Sequence, residues 1–569
     1  MTAGRITVST ERPGARSSRR RAVEDRAVAW LAARRAMLDP RGARPDRVLF
    51  ARKALIETAF LAGLRARLDD APLTGDYAAI LEQVEDAARQ PSYREMTARD
   101  ETALLLYAGT YAALRLCGRD APEFGRVIRQ AVAGGYAAAF ERVPYRQLDL
   151  LHTLYLCGIE HDPSSMDAVL PFTLLCRRPN VLKLTDRDVY AVTHTLFYAT
   201  DFGLREPAWP SGFCPGEGVE LLEALLVLAE ARANADLVGE LLCCLYCLGV
   251  ADSHATDRAW SFLESVQEDN GRVAGPEGIL HPEAEAMEAD FRHWAEGYHT
   301  TVVAALAGLL ERSPRRGEPP SPPTAESVPL GPHLQRAVTW LCDASLAEDH
   351  RAGLPGVTAA ALGASALRER GLARPGLAHY AAQLADAAPS FWQEQGAEVA
   401  GEFALALHQA DICCPSLDAY LRATAEVVAS LDDVPADAAA GVRRLVGLGV
   451  LRPGAAPAVP RQAPAVPGRA QTGGRHAFPF QDAVSLCEAR ESYHLGQLAA
   501  TVRVLVKGGW GLHRITRDAV AFLVAQQDAE GAFGYPASDD PAARGKARYS
   551  WTRSAVVALA AAVESGPAG

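Results

Sequence analysis

The sequence contains no run of about 18 apolar residues, so no segment reads as a membrane span. A secretory leader is not expected. The arginine cluster between Arg16 and Arg21 is followed by AVEDRAVAW, which carries two acids where an apolar stretch is needed. Clustered positive charge is missing elsewhere. Lys and Arg total 58 against 69 Asp and Glu, a net charge of −11, which argues against a nucleic-acid surface. No phosphate loop, dinucleotide fingerprint or nucleophile elbow is present. Alternating period-2 runs bounded by turns are nearly absent, so little strand is expected. The eleven cysteines lack the dense spacing of a small disulfide scaffold. Several lie in apolar segments (Cys117, Cys157, Cys243, Cys247) and read as reduced, buried thiols of a cytoplasmic protein.

What is present is helical. Segments of about 12–18 residues with apolar positions three and four apart alternate with Gly, Pro and Asp turns. Two proline-rich stretches, from Arg312 and from Leu451, cannot be packed helix. They set the expected organisation: a disordered tail over 1–22, helical repeats over 23–311, a linker over 312–330, helical hairpins over 331–450, a linker over 451–476, and a C-terminal repeat over 477–569.

Six helices of the first segment overlay on one another. They read ETAFLAGL from Glu57, ETALLLYAG from Glu101, HTLYLCG from His152, HTLFYATDFG from His194, CCLYCLG from Cys243 and HTTVVAALAG from His299. A more amphipathic helix lies between consecutive members, as an outer layer requires. The expected fold is all-α: repeated helical hairpins forming an (α/α)6 toroid, followed by further helical hairpins. An open solenoid with the same repeat is the competing arrangement.

The C-terminal segment AVAFLVAQQDAEGAFGYPASDD…ARYSWTRSAVVALAAA resembles the Q-x-x-x-G-x-F…W repeat of the superfamily of squalene–hopene cyclases and protein-prenyltransferase β-subunits. FLESVQEDNGRVAGPEG from Phe262, followed by HWAEGYHTTVVAAL, looks like a degenerate second copy. The resemblance implies structural roles for Gln527, Gly531, Phe533 and Trp551, and it implies a fold rather than a function. The D-x-D-D acid motif of protonation-type terpene cyclases is missing, as is the D-D-x-x-D magnesium motif of ionisation-type synthases. The zinc motifs of lanthionine cyclases are missing too, and GFCPG around Cys214 is only a faint echo of them. The zinc pattern of protein prenyltransferases has no clear counterpart either. THTLFYATDFG also resembles the signature of an uncharacterised bacterial family from biosynthetic neighbourhoods.

If the inner helices are in register, Glu57, Glu101, His152, His194, Cys243 and His299 form a ring facing the axis. Carboxylates, imidazoles and a thiol serve both metal binding and acid–base chemistry. A polar residue kept at one repeat position for local reasons is the competing reading. The recurring Thr reads as a structural residue bonding back to its own helix. Tyr190, His194 and Asp201, one and two turns apart, form a candidate proton-handling line. Glu57, Glu101, His152 and Cys243, with Tyr155, Tyr198 and Trp294, are candidate substrate contacts. His293, Glu296 and His299, at three-residue spacing, are candidate ligands for zinc or another divalent metal, although this is not the H-E-x-x-H pattern. Trp294 and Tyr298 read equally as aromatic core. The C-x-x-C spacing within Cys243, Cys244 and Cys247 has no second pair to complete a zinc finger.

These features point to a bacterial specialised-metabolism enzyme with a small-molecule or peptide substrate in a central cavity. The expected chemistry is terpene-cyclase-like acid–base cyclisation or rearrangement of an isoprenoid or peptide. A non-catalytic helical scaffold for a peptide or partner enzyme, and a metal-dependent peptide-modifying enzyme, are the alternatives. No cofactor is certain from the sequence.

Overall fold

The computed structural model describes residues 13–41, 43–44, 47–69, 72–99, 104–119, 121–135, 141–159, 164–276, 288–313, 320, 329–348, 350–369, 371–395, 397–410, 412–429 and 478–565. Among them the structure is helical, and extended pairing is confined to two isolated bridges, Gln267 with Val273 and Gln527 with Phe533. The chain divides into two compact units, 1–324 and 325–569. No helix of the described residues is long and apolar enough to cross a membrane.

In the first unit, α1 (Pro13–Ala33), α2 (Val48–Leu68), α3 (Gly75–Arg89), α4 (Pro91–Arg99), α5 (Leu104–Leu116), α6 (Pro122–Ala133) and α7 (Pro144–Leu156) are followed by α8 (Ser164–Val169), α9 (Asp186–Ala199), α10 (Pro215–Ala231), α11 (Ala235–Cys247), α12 (His254–Val266), α13 (Ala289–Ala295) and α14 (Tyr298–Arg312). The six helices overlaid in the sequence are α2, α5, α7, α9, α11 and α14. Each packs on the next in that order, and α14 packs back on α2, so the ring closes as a toroid. Outside it, α1 covers α14, α3 covers α2, α6 covers α5, α8 covers α7, and α10 and α12 cover α11.

Local chemistry sets the helix ends. Thr185 and Asp188 form a capping box that starts α9, and Asn234 caps α11 by accepting from the Leu237 amide. The glycine closing the apolar runs of α5, α7 and α11 (Gly118, Gly158 and Gly249) is left-handed, as a helix C-terminus requires. The recurring Thr back-bonds as expected in α2, where Thr58 donates to Ala54, and in α9, where Thr195 donates to Ala191. In α14 the same position does something else: Thr300 donates to Asp236 on α11.

The N-terminal helix begins at Pro13, inside the stretch expected to be a tail. The reason is Arg20, which is buried and donates to Asp257 at 2.6 Å and Glu311 at 2.7 Å. A paired guanidinium can be buried where an unpaired one cannot.

The second unit contains α15 (Leu330–Leu346), α16 (His350–Ala366), α17 (Arg374–Leu384), α18 (Pro389–Gln395), α19 (Ala397–Gln409), α20 (Pro415–Ala429), α21 (Phe480–Glu491), α22 (Leu495–Leu505), α23 (Arg514–Val524) and α24 (Pro541–Ser565). Helices from both sides of residues 430–477 share this unit, since α24 packs on α15, α16 and α22. The second proline-rich stretch therefore interrupts one packed body.

The two glutamine–glycine turns have the same construction. Gln267 donates its side-chain amide to Val23 and Gly271 carbonyls, joining the end of α12 to α1. Gln527 donates to His333 and Gly531, joining the end of α23 to α15. The Val273 and Phe533 amides then donate to Thr301 and Thr552. Each glycine is left-handed (φ 95° and 108°), and a Cβ would collide with the facing carbonyl, 2.1 Å from Arg26 O at Gly271. Gly271→Ala should therefore cost about 2–4 kcal/mol, combining strain with overpacking. Gly75→Ala, also at positive φ but facing open space, should cost only about 1–2 kcal/mol. Urea unfolding of both variants checks this, and equal losses would contradict it.

Candidate active site

The toroid encloses a cavity of about 650 Å³. Its inner helices run parallel. Along α2 and α5, Ile56 meets Gly109 and Gly63 meets Ala113; along α11 and α14, Asp236 meets Thr300 and Gly239 meets Val303. Asp236, Glu240 and His299 thus project into the cavity from the N-terminal halves of their helices, while Leu64, Phe202 and Leu306 line it further along. The cavity is charged towards one end and apolar towards the other.

The charged end is organised around His299. Its Nδ1 donates to Glu57 Oε2 at 2.9 Å, across the seam where α14 meets α2. Its Nε2 lies 3.6 Å from Glu240 Oε1 and 3.7 Å from Asp236 Oδ2. Hydroxyls hold the Asp236 and Glu240 carboxylates. Tyr190 donates to Asp236 Oδ2 at 2.6 Å, Thr300 to Asp236 Oδ1 at 2.9 Å, and Thr193 to Glu240 Oε2 at 2.5 Å. His194 Nδ1 stands 3.6 Å from Glu240 Oε2, and Lys53 Nζ 3.5 Å from Glu57 Oε1.

Burial alone would raise the carboxyl pKa values, but the neighbouring cations outweigh it. His299 and Lys53 hold Glu57 at about 2, and His194 and His299 hold Glu240 below its ordinary value. The charge of Glu57 raises Lys53. Burial opposes the charged form of His299, yet Glu57 and Asp236 raise it well above 6.5. Tyr190 is raised by burial and by Asp236, so it stays a donor.

A second network closes the apolar end. Beyond α9 the chain turns through three successive left-handed residues, Asp201, Phe202 and Gly203. Buried Asp201 accepts from His152 Nε2 at 2.8 Å and pairs through both oxygens with Arg67, one contact at 2.8 Å. Phe202 stacks on Phe197 with centroids 5.0 Å apart and meets Phe60 at 5.0 Å.

Of the residues singled out in the sequence, Glu57, His152, Tyr190, His194, Tyr198 and His299 line the cavity. Others are placed differently. Helix α9 ends at Ala199, so two-turn spacing does not extend to Asp201, which joins His152 and Arg67 instead of His194. Helix α13 stops at Ala295 and a new helix begins at Tyr298, so His293, Glu296 and His299 share no face. His293 is exposed, and Glu296 faces Arg292 at 3.9 Å. Trp294 is buried and stacked on Tyr298 at 4.9 Å, and Tyr155 is an exposed surface residue. Cys243 points into the helix interface, its thiol directed at the Val303 carbonyl. Glu101 lies outside the described residues.

Asp236 and Glu240 were not singled out in the sequence. Their signal was present: two acids four apart inside the apolar helix ADLVGELLCCLYC must share a face and must be answered for if buried. Aligning the repeats on Cys243 placed the ring one turn too far along α11.

The second unit supplies an internal comparison. Ala233 and Tyr493 are both left-handed, and Asn234 and His494 each accept from the amide three residues on, which aligns α11 with α22. Asp236 then corresponds to Gly496 and Glu240 to Ala500. Thr301 and Thr552 align α14 with α24, so His299 corresponds to Ser550. Turn and cap chemistry is shared, whereas among the described residues the charged cluster lies in the first unit.

A closed (α/α)6 toroid with a buried carboxylate–imidazole cluster on its cavity wall is the class that fold and site define. The chain belongs to the family described as a domain of unknown function (DUF6895), whose model matches residues 24–309. The matched stretch starts in α1 and ends in α14, and so spans the whole ring. No curated protein and no solved structure matches the chain.

The Asp201 carboxyl is held below 3.8 against burial by His152 and Arg67, with Cys247 on α11 the other titratable neighbour. A lowered folded-state pKa gives stability that is present above 3.8 and lost as pH falls through the folded value. Asp201→Asn should cost about 3 kcal/mol at pH 7, near the low end for a broken buried pair because Arg67 is a quarter exposed. Its stability should also fall less steeply than wild type on acidification below pH 4. A parallel pH dependence in the two proteins, read by urea unfolding, would contradict the assignment.

All eleven cysteines are free, and burial pushes the thiols of Cys157 and Cys247 up to about 12. A disulfide reagent added to native protein should label exposed Cys214 and Cys413 first. Equally fast labelling of Cys243 or Cys244, read by peptide mass spectrometry, would contradict the packing.

Proposed function

We propose that this chain is an enzyme that performs an acid–base rearrangement on a substrate with an apolar body, isoprenoid-like or peptide, held inside the toroid. The carrying observation is the charged relay Lys53–Glu57–His299–Glu240 on the wall of a cavity that also offers Phe60, Phe197 and Phe202. Its volume of about 650 Å³ falls within the range of ligand sites, and the aromatic rings suit an apolar or cationic reacting body.

His299 and Glu240 are the groups offered to the substrate, with His194 beside them. Glu57 orients the His299 ring through Nδ1, leaving Nε2 directed at the cavity wall carboxylates. Tyr190, Thr193 and Thr300 fix the carboxylates that accept from them. Glu240, whose pKa His194 and His299 lower against burial, is a base. Protonation of an isolated alkene needs a neutral carboxylic acid, so the arrangement favours proton transfer at a polarised C–H bond or a heteroatom over alkene-initiated cyclisation.

The test is complementation of a deletion of the gene in its host, followed by metabolite profiling. Glu240→Gln and His299→Gln, expressed at wild-type level, should reproduce the deletion profile, with the same compound lost or accumulated. Profiles equal to wild type would overturn the enzymatic reading and leave a scaffold.

A further inference from the structure

We propose that Asp236, Glu240 and His299 are the protein ligands of a divalent metal ion of the zinc or manganese type, with Glu57 as a positioning residue. The inference deepens the enzymatic reading of the same cavity and rests on it for the ion's role, while binding itself is measurable without activity.

One oxygen or nitrogen from each of the three residues lies within 4.8 Å of the others. The His299 Nε2 distances to Glu240 Oε1 and Asp236 Oδ2, 3.6 and 3.7 Å, are too long for hydrogen bonds. They lie close to the edge of a tetrahedron built from roughly 2.1 Å metal–ligand bonds, about 3.4 Å. Two edges of the three-atom group are thus near that length and the third is within 4.8 Å, and an ion seated there would displace the Nε2 proton of His299.

The surroundings match what a metal ligand needs. A ligating imidazole donates its other nitrogen to a carboxylate, which fixes the tautomer and aims the lone pair. Glu57 does this at His299 Nδ1, 2.9 Å away. Ligating carboxylates are themselves held by donors, here Tyr190 and Thr300 on Asp236 and Thr193 on Glu240. Asp236 and Glu240 are almost wholly buried, yet all three residues line the cavity. Three protein ligands with the cavity on the remaining side leave positions open for water or substrate, as in catalytic rather than structural sites.

The donor set narrows the ion. An imidazole disfavours calcium and magnesium, and the absence of thiolate among the three disfavours copper(I). The internal comparison gives independent support. The turn and cap matches align the triad with Gly496, Ala500 and Ser550 in the second unit, so helices joined by the same turn form without these three side chains; among the described residues the three-ligand group lies in the first unit.

The experiment uses the full chain, stripped with a chelator and titrated separately with zinc chloride and manganese chloride by calorimetry. Metal content is read by plasma mass spectrometry after gel filtration. At least one of the two ions should bind at one per chain. Asp236→Asn and His299→Gln should weaken it by about 100-fold or more, and Glu57→Gln by about 10–100-fold, as loss of an orienting partner does. His293→Ala and Cys214→Ser should bind as wild type, and circular dichroism on every variant separates lost ligands from lost fold. Absence of saturable binding by both ions in folded wild type would overturn the proposal. So would binding that survives in folded His299→Gln but fails in His293→Ala. If binding fails while Glu240→Gln still reproduces the deletion profile, the metal falls and acid–base catalysis stands. If binding holds while the profiles stay wild type, the site stands and the rearrangement falls.

Discussion

The bond between His299 and Glu57 is where the ring is both closed and charged. It spans 242 residues of sequence and lies on the seam between the last inner helix and the first. Helical hairpins laid side by side leave two open faces. Burying those faces against each other turns a solenoid into a toroid and creates the enclosed cavity. At this seam the contact is polar. Closure therefore brings His299 against Glu57 on one side and against Asp236 and Glu240 on the other.

Outside the ring, closure is made by a different device. The Gln267 side chain spans from the end of α12 to the Val23 carbonyl of α1, and left-handed Gly271 lets the two backbones approach. The second unit repeats the device at Gln527 and Gly531. Because among the described residues the clasp recurs and the charged cluster does not, the two can be assigned different purposes. Burying three carboxylates near two imidazoles brings a desolvation cost that a helical fold has no need to bear. The proposed proton transfer or ion binding in the cavity would use it.

Most of the architecture was legible in the sequence because repetition is a periodic signal. Six apolar helices of similar length, five opened by a polar residue and Thr and one by Cys243-Cys244, identified the inner layer. The glutamine–glycine turns were legible because glycine at positive φ and a capping amide leave a short fixed spacing. The site was only partly legible. Glu57 and His299 were found because they occupy the same repeat position. Asp236 and Glu240 were missed because α11 is offset by one turn, a displacement that repeat alignment cannot see. The pairing of His194 with Asp201 assumed that α9 continues to Asp201; it stops at Ala199, where the left-handed turn through Asp201 and Phe202 redirects the carboxylate to His152 and Arg67.

The central claim is that the triad serves the cavity and not the fold. The most direct test exchanges it for near equivalents of the second unit, as the triple variant Asp236→Ala, Glu240→Ala, His299→Ser, and measures unfolding in urea. With Glu57→Gln added to the three, so that loss of His299 leaves no carboxylate without its imidazole, stability should stay within about 1–2 kcal/mol of wild type or rise. A loss of 3–5 kcal/mol or more, or disappearance of the cooperative transition, would show that the cluster holds the ring together and would contradict the account.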